Sequence, residues 1–211
     1  IAVLFEQWNK TELSSYLLEI TVDILRTKEN GGWLLDEIVD AAFSKGTGSR
    51  AVNTAAELGV PAGMLTAALF SRYISARQNK RTKASSLFAS EHKLAKPLSI
   101  SSIQNAYQLA RIINHHQGFE LIKAAAEKNN WQINFCEIAR IWTNGCIIRS
   151  AFMQELVEVF AATDELLFHS SVINFILQHK AQLVEVTSAA MQSNISVPAF
   201  AEALNYINAI A

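Results

Sequence analysis

The sequence predicts an all-α fold, and three observations carry that reading. Only three prolines and eight glycines interrupt 211 residues. Runs of alternating Val, Ile and Thr, the mark of half-buried strands, are almost absent. Apolar residues instead recur at the three-and-four spacing that lines one face of a helix.

Taken in order, the first clear helix covers residues 13–25, where Leu13, Leu17, Ile20 and Ile24 share a face. Lys10-Thr11-Glu12 leads into it, and the polar run Thr27-Lys28-Glu29-Asn30-Gly31-Gly32 ends it in a turn. Residues 33–43 read as a short amphipathic helix, and 49–58 as another, stopped by Gly59. Pro61 opens a longer helix over 62–81, because proline fits the first turn of a helix but not its interior. A break at 93–99 precedes long helices at 101–128 and 134–160, one or two more over 166–193, and a last one at 198–210 behind Pro198. The chain opens at Ile1 inside an apparent helix and ends at Ala211 in another, which reads as an excised piece of a longer protein.

The two halves also superpose weakly. Trp8 falls on Trp142 at an offset of 134, and an offset of 135 lays GVPAGMLTAALFSRY on NISVPAFAEALNYIN, matching Ala68-Leu69 to Ala203-Leu204 and Leu65 to Phe200. Such self-similarity fits a duplicated fold, and it fits equally a chance match among Ala- and Leu-rich helices. The first helical half would cover about 1–92 and the second about 100–211 of a single domain. The counterpart of helix 101–128 would then lie upstream of Ile1.

Composition narrows the function. Half of the residues are hydrophobic and 18% are charged, against roughly 25% in an average soluble domain, so more surface than usual is expected to be hidden, a subunit interface being one place. The net charge of −1 supplies no basic field for nucleic acid. No apolar run reaches the roughly 20 residues that span a bilayer. Cys136 and Cys146 sit in apolar surroundings without metal-ligand spacing, and read as buried thiols in a reducing compartment.

Lys45-Gly46-Thr47-Gly48 is the strongest chemical signal. Two glycines let the backbone turn its N–H groups toward a ligand, and the next helix adds partial positive charge at its start, so the stretch suits a phosphate or carboxylate. It equally suits a plain polar turn between helices. Arg72 follows Leu65, Ala68 and Leu69 at helical spacing, in line with an apolar stripe. Either it snorkels to solvent, or it joins Lys45 in a clamp that pairs a guanidinium fork with a point charge. His115 and His116 are adjacent and diverge on a helix, so they cannot share a metal as an i, i+4 pair would. Arg149 reads as a core ion-pair partner for an acid the sequence does not identify. Glu12 and Glu120 are isolated acids, and no nucleophile elbow, catalytic triad order or dinucleotide glycine fingerprint is present.

Four blocks, FEQWNKTELSSYLLEIT, LLDEIVDAAFSKGTGSRAVNTAAELGVP, LFSRYISARQNKRTKAS and WTNGCIIRSAF, occur in order from about Leu4 to about Tyr206. In sequence and spacing they resemble the helical C-terminal domain of decarboxylating 6-phosphogluconate dehydrogenase. The resemblance implies a cytoplasmic homodimeric enzyme of the pentose phosphate pathway that oxidises 6-phosphogluconate with NADP and releases carbon dioxide to give ribulose 5-phosphate. It implies an N-terminal Rossmann domain absent from this chain, and a duplicated helical domain for substrate binding and dimer contacts. By the matching motifs, Lys45, Thr47 and Arg72 would bind the substrate phosphate.

The family's KGTGKWT reads KGTGSRA here, with Ser49-Arg50 in place of Lys-Trp. The family's lysine and glutamate, its base and acid, precede the FEQWNKTEL block, so the chain offers no catalytic residue, cofactor-binding residue or metal ligand to name. The chain alone is expected to be inactive. The arginine and histidine lent by the partner subunit also fall outside it. Two rival readings remain: an assembly module with a vestigial anion loop, and a domain of a related hydroxyacid dehydrogenase with a non-phosphorylated substrate.

Overall fold

Small polar side chains decide where several helices begin. Ser15, Ser99, Asn134 and Ser150 each accept a hydrogen bond from the backbone N–H three residues on, at 2.9–3.2 Å, satisfying a donor that has no carbonyl inside the helix. The structure is a computed structural model and describes residues 1–88, 91, 93–94 and 96–211. Its helices are α1 (Ala2–Trp8), α2 (Tyr16–Arg26), α3 (Leu34–Glu37), α4 (Thr47–Leu58), α5 (Gly63–Ser75), α6 (Gln78–Phe88), α7 (Ile100–Asn129), α8 (Phe135–Trp142), α9 (Ala151–Ala162), α10 (Ser170–Gln192) and α11 (Pro198–Ile210). Leu166–Phe168 forms a 3-10 turn. The fold class is the predicted all-α one, and among the described residues the sheet amounts to one hairpin of two-residue strands, β1 (Lys28–Glu29) and β2 (Gly32–Trp33).

Three expected helices are shorter or broken. Asn30 and Gly31 both take left-handed backbone, φ 49° and 85°, which suits a tight hairpin turn. Trp33 is thereby spent on a strand, and the expected helix at 33–43 shrinks to α3 because Ile38 is extended, with φ −74° and ψ 131°. The helix expected at 62–81 divides at Ala76-Arg77, where the Arg77 N–H bonds Ile74 O only three residues back at 3.0 Å. The long helix expected at 134–160 divides into α8 and α9, with Gly145 left-handed at φ 64° between them. Of the expected break at 93–99, Ala95 lies outside the described residues, as does the end of the first expected half at His92. Cys136 and Cys146 are free thiols, and both are half-buried rather than buried.

The chain folds as two compact units, each built from two separated stretches. In one, Ile1–Val39 joins Gln132–His169: α1 packs on α2 and α8 on α9, burying Trp8, Leu13, Leu18, Phe135, Met153 and Leu156. In the other, Asp40–Trp131 joins Ser170–Ala211. There α7 packs against α10 and α11, and α5 against α4 and α11. Its core contains Met64, Leu69, Leu109, Ile113, Leu183 and Ile207.

An offset of 135 recurs within each unit. In the first, the Tyr16 N–H donates to Arg149 O at 3.0 Å and the Ala151 N–H to Ser14 O at 2.9 Å, a reciprocal exchange around the Ser15–Ser150 bridge, whose two positions are 135 apart. The two N-caps beside it, Ser15 and Ser150, are related in the same way. In the second unit, α4 and α10 end on left-handed residues, Gly59 and Asn194. The following N–H groups, of Val60 and Ile195, bond Ala55 O and Ala190 O at 2.8 and 2.9 Å. Helices α5 and α11 then start at positions 63 and 198 and pack on each other. Among the described residues, no helix is long and apolar enough to cross a membrane.

Replacing either cap, Ser15→Ala or Ser150→Ala, should lower stability by about 1 kcal/mol. Denaturant melts of the two variants should show similar losses, because the two caps occupy equivalent places.

Candidate functional site

Gly46 carries φ 94°, a left-handed turn that only glycine adopts without strain, and it is the N-cap of α4. Thr47 is the first residue of that helix and Gly48 the second, so their N–H groups have no carbonyl partner within the helix. Before them, the Gly46 N–H bonds Ser44 Oγ at 3.2 Å. A Cβ at Gly48 would lie 3.2 Å from Leu69 Cδ1, so a side chain there would press on the leucine tip and shift it by a few tenths of an ångström.

Beside this contact lies an open pocket of about 290 Å³ whose lining includes Lys45, Thr47, Gly48, Leu65, Leu69 and Arg72. All three residues singled out from the sequence therefore meet at one place. Lys45 and Thr47 come from the loop and first turn of α4, and Arg72 from the last turn of α5. All three are exposed. Arg72 donates through Nη2 to the Phe43 carbonyl, so its head group lies over the loop rather than trailing free into solvent. A guanidinium has five N–H donors, and one carbonyl leaves others for a ligand. Two cations, a hydroxyl and a helix start with unpaired amides suit an anion bearing several oxygens.

The altered flank stays out of this pocket. Ser49 Oγ donates back to Gly46 O at 2.8 Å, closing the turn, and neither Ser49 nor Arg50 lines the cavity. At the positions 135 residues on, the chain does something else. Helix α10 runs unbroken through Lys180-Ala181-Gln182-Leu183, and fully buried Leu183 stands where Gly48 stands in the first half.

Other candidates resolve into structural roles. Arg149 pairs with Glu19, Nη2 to Oε2 at 2.7 Å, and lies 4.8 Å over the Tyr16 ring. The acid that the sequence leaves unidentified is thus Glu19, and the pair is half-exposed rather than in the core. His115 Nδ1 is bonded to Arg111 O at 2.8 Å, and His116 Nε2 to the Tyr206 hydroxyl at 2.7 Å. Burial pushes His115 below the ordinary imidazole value, favouring the neutral ring. Among the described residues, no group of three or more His, Cys, Asp and Glu could hold a metal ion.

Sequence reasoning missed the residues that carry the loop. Ser75 and Arg81 reach residues 40–42 from α5 and α6, contacts across more than thirty positions that no local pattern announces. The one signal was Arg81 itself, a cation at the end of what read as a continuous helix.

The family model described as "6-phosphogluconate dehydrogenase, C-terminal domain" matches residues 1–211. A Bacillus subtilis protein named 6-phosphogluconate dehydrogenase, NADP(+)-dependent, decarboxylating, is 39% identical over 96% of this chain and 45% of its own length. A Citrobacter freundii 6-phosphogluconate dehydrogenase, decarboxylating, is 37% identical over 98% of this chain and 48% of its own. Among solved structures, Plasmodium falciparum 6-phosphogluconate dehydrogenase superposes with a TM-score of 0.93 at 34% identity, covering 100% of this chain and 47% of that one. That enzyme is described in its apo form, with its cofactor NADP+ and with its substrate 6-phosphogluconate. The chain thus spans about half the length of the relatives it matches.

Gly46→Ala would force a left-handed alanine at the start of α4, at a cost of about 1–2 kcal/mol. Urea unfolding should register the loss, whereas Ser49→Ala, which removes only the back-bonded hydroxyl, should cost less.

Proposed function

Because the chain belongs to the 6-phosphogluconate dehydrogenase family, matching its C-terminal domain over residues 1–211, we propose that it anchors the phosphate of 6-phosphogluconate for an NADP-dependent oxidative decarboxylation to ribulose 5-phosphate. The observation that supports this reading is the meeting of Lys45, Thr47 and Arg72 in one open pocket at the start of α4. Each group has a distinct task. Lys45 supplies a compact charge, Arg72 a fork of donors matched to phosphate oxygens, and Thr47 a hydroxyl beside the amide-rich helix start.

Anchoring one end of a flexible sugar acid restricts where its other carbons sit. Binding energy gained at the phosphate is then used to orient the distant reacting carbons, which is how a site without an acid or base assists chemistry. For NADP, named for the Bacillus relative and the Plasmodium structure, we assign no residue of this chain. The sequence lacks a dinucleotide glycine fingerprint, and among the described residues the only sheet is the two-stranded hairpin, with no parallel crevice for a nucleotide. Hydride transfer and proton transfer belong to the remainder of the protein, in the cytoplasm.

Pairing with a second copy is the other half of the proposal. Phe70 and Ile74 on α5 and Leu177 on α10 are large apolar side chains left exposed, in a chain that is half hydrophobic. Sedimentation across a concentration series should reveal a dimer, and a monomer at every concentration would remove assembly from the proposal.

In the full protein that carries this domain, Lys45→Ala or Arg72→Ala should raise the KM for 6-phosphogluconate about 10- to 100-fold, the loss of roughly 1.5–3 kcal/mol expected for a charge-assisted contact. The kcat at saturating substrate should change far less. Unchanged KM in both variants would favour an assembly module whose loop is vestigial.

A further inference from the structure

The backbone from Asp40 to Ser44 belongs to no helix or strand, yet it leads directly into the loop that carries Lys45 and Thr47. Its polar groups find side chains instead. Arg81 Nη2 donates to Asp40 O at 2.7 Å, to Asp40 Oδ2 at 3.0 Å and to Ser75 O at 3.2 Å. Ser75 Oγ accepts from the Ala42 N–H at 3.0 Å. Arg72 takes the Phe43 carbonyl. Within four residues, three side chains from α5 and α6 bind three backbone groups, at 40, 42 and 43.

We propose that Ser75 and Arg81 are positioning residues for the anion loop, strapping residues 40–42 onto α5 and α6 so that Lys45 and Thr47 face Arg72. The inference rests on the phosphate reading of the pocket. Without the strap, the irregular segment would exchange its side-chain partners for water, and Lys45 would keep its charge but lose its fixed place. Bonds that close at both ends of a short segment limit displacement of the residues joined to it, and errors of about 1 Å in such groups lower productive binding by an order of magnitude or more. Arg81 makes all three contacts through Nη2, so one nitrogen ties Asp40 to the end of α5. Its bond to Ser75 O also covers a carbonyl at the end of α5, where the chain turns into α6.

The strap also explains the break between α5 and α6. A continuous helix would carry Arg81 onward along the α5 axis. The turn at Ala76-Arg77 brings it back against Ser75 and Asp40.

The test is steady-state kinetics in the full protein with 6-phosphogluconate as the varied substrate, on Ser75→Ala, Arg81→Ala, Arg81→Lys and Lys45→Ala, with thermal melts of each. Ser75→Ala and Arg81→Ala should raise KM about 5- to 20-fold with kcat within about twofold of wild type, and Arg81→Lys should recover part of the loss. The salt dependence of KM should stay as in wild type for Ser75→Ala, since no cation is removed, but flatten for Lys45→Ala. If Lys45→Ala raises KM while Ser75→Ala and Arg81→Ala do not, the strap is overturned and the phosphate reading stands. If none of the four changes KM, both fail. Should Arg81→Ala not fold, Ser75→Ala, which removes a single hydroxyl, decides alone.

Discussion

At Gly46 the backbone turns left-handed immediately before α4, and the pocket depends on that turn. It ends the irregular approach from Asp40, aims the first amides of α4 outward, and places Lys45 and Thr47 on either side of the bend. Beside it, the bare Cα of Gly48 faces the tip of Leu69. A side chain at either glycine would act on the site, through backbone strain at 46 and through pressure on the Leu69 tip at 48.

The second half of the fold provides an internal comparison. At positions 135 residues on, Ala181 and Leu183 replace the two glycines, and α10 continues as one helix of 23 residues. Leu183, at the position of Gly48, is fully buried. Arg72 has Ile207 as its counterpart, and Ile207 is buried. The same packing scheme, a helix ending on a left-handed residue and followed by a helix begun at 63 or 198, thus yields a pocket in one half and solid core in the other. Two glycines and one arginine make the difference.

Much of this was legible in the sequence, because it depends on local chemistry. Gly59 stops α4, Pro198 starts α11, and the periodicity of residues 101–128 gives α7 to within a residue at either end. The offset of 135 was readable from Ala68-Leu69 and Ala203-Leu204, and it is the offset at which caps, left-handed stops and backbone exchanges recur. KGTG and the FSRY arginine were readable as chemistry, and they line one pocket. Two of the failures involve bonds between residues distant in sequence. The helix expected at 33–43 was lost to a hairpin turn at Asn30-Gly31 and to tertiary bonds from Arg72, Ser75 and Arg81, and the division of α8 from α9 accompanies Gly145 and the Ser14–Ala151 bond. Long-range hydrogen bonds overrode local propensity in both places.

The central claim is that this pocket reads a phosphate rather than a sugar acid in general. Backbone amide chemical shifts, followed while 6-phosphogluconate and then gluconate are titrated into the protein, test it most directly. The account predicts that the Thr47 and Gly48 amides move and saturate with the phosphorylated sugar and stay in place with gluconate at the same concentrations. Equal responses to both ligands, or shifts that leave these two amides unmoved, would contradict it.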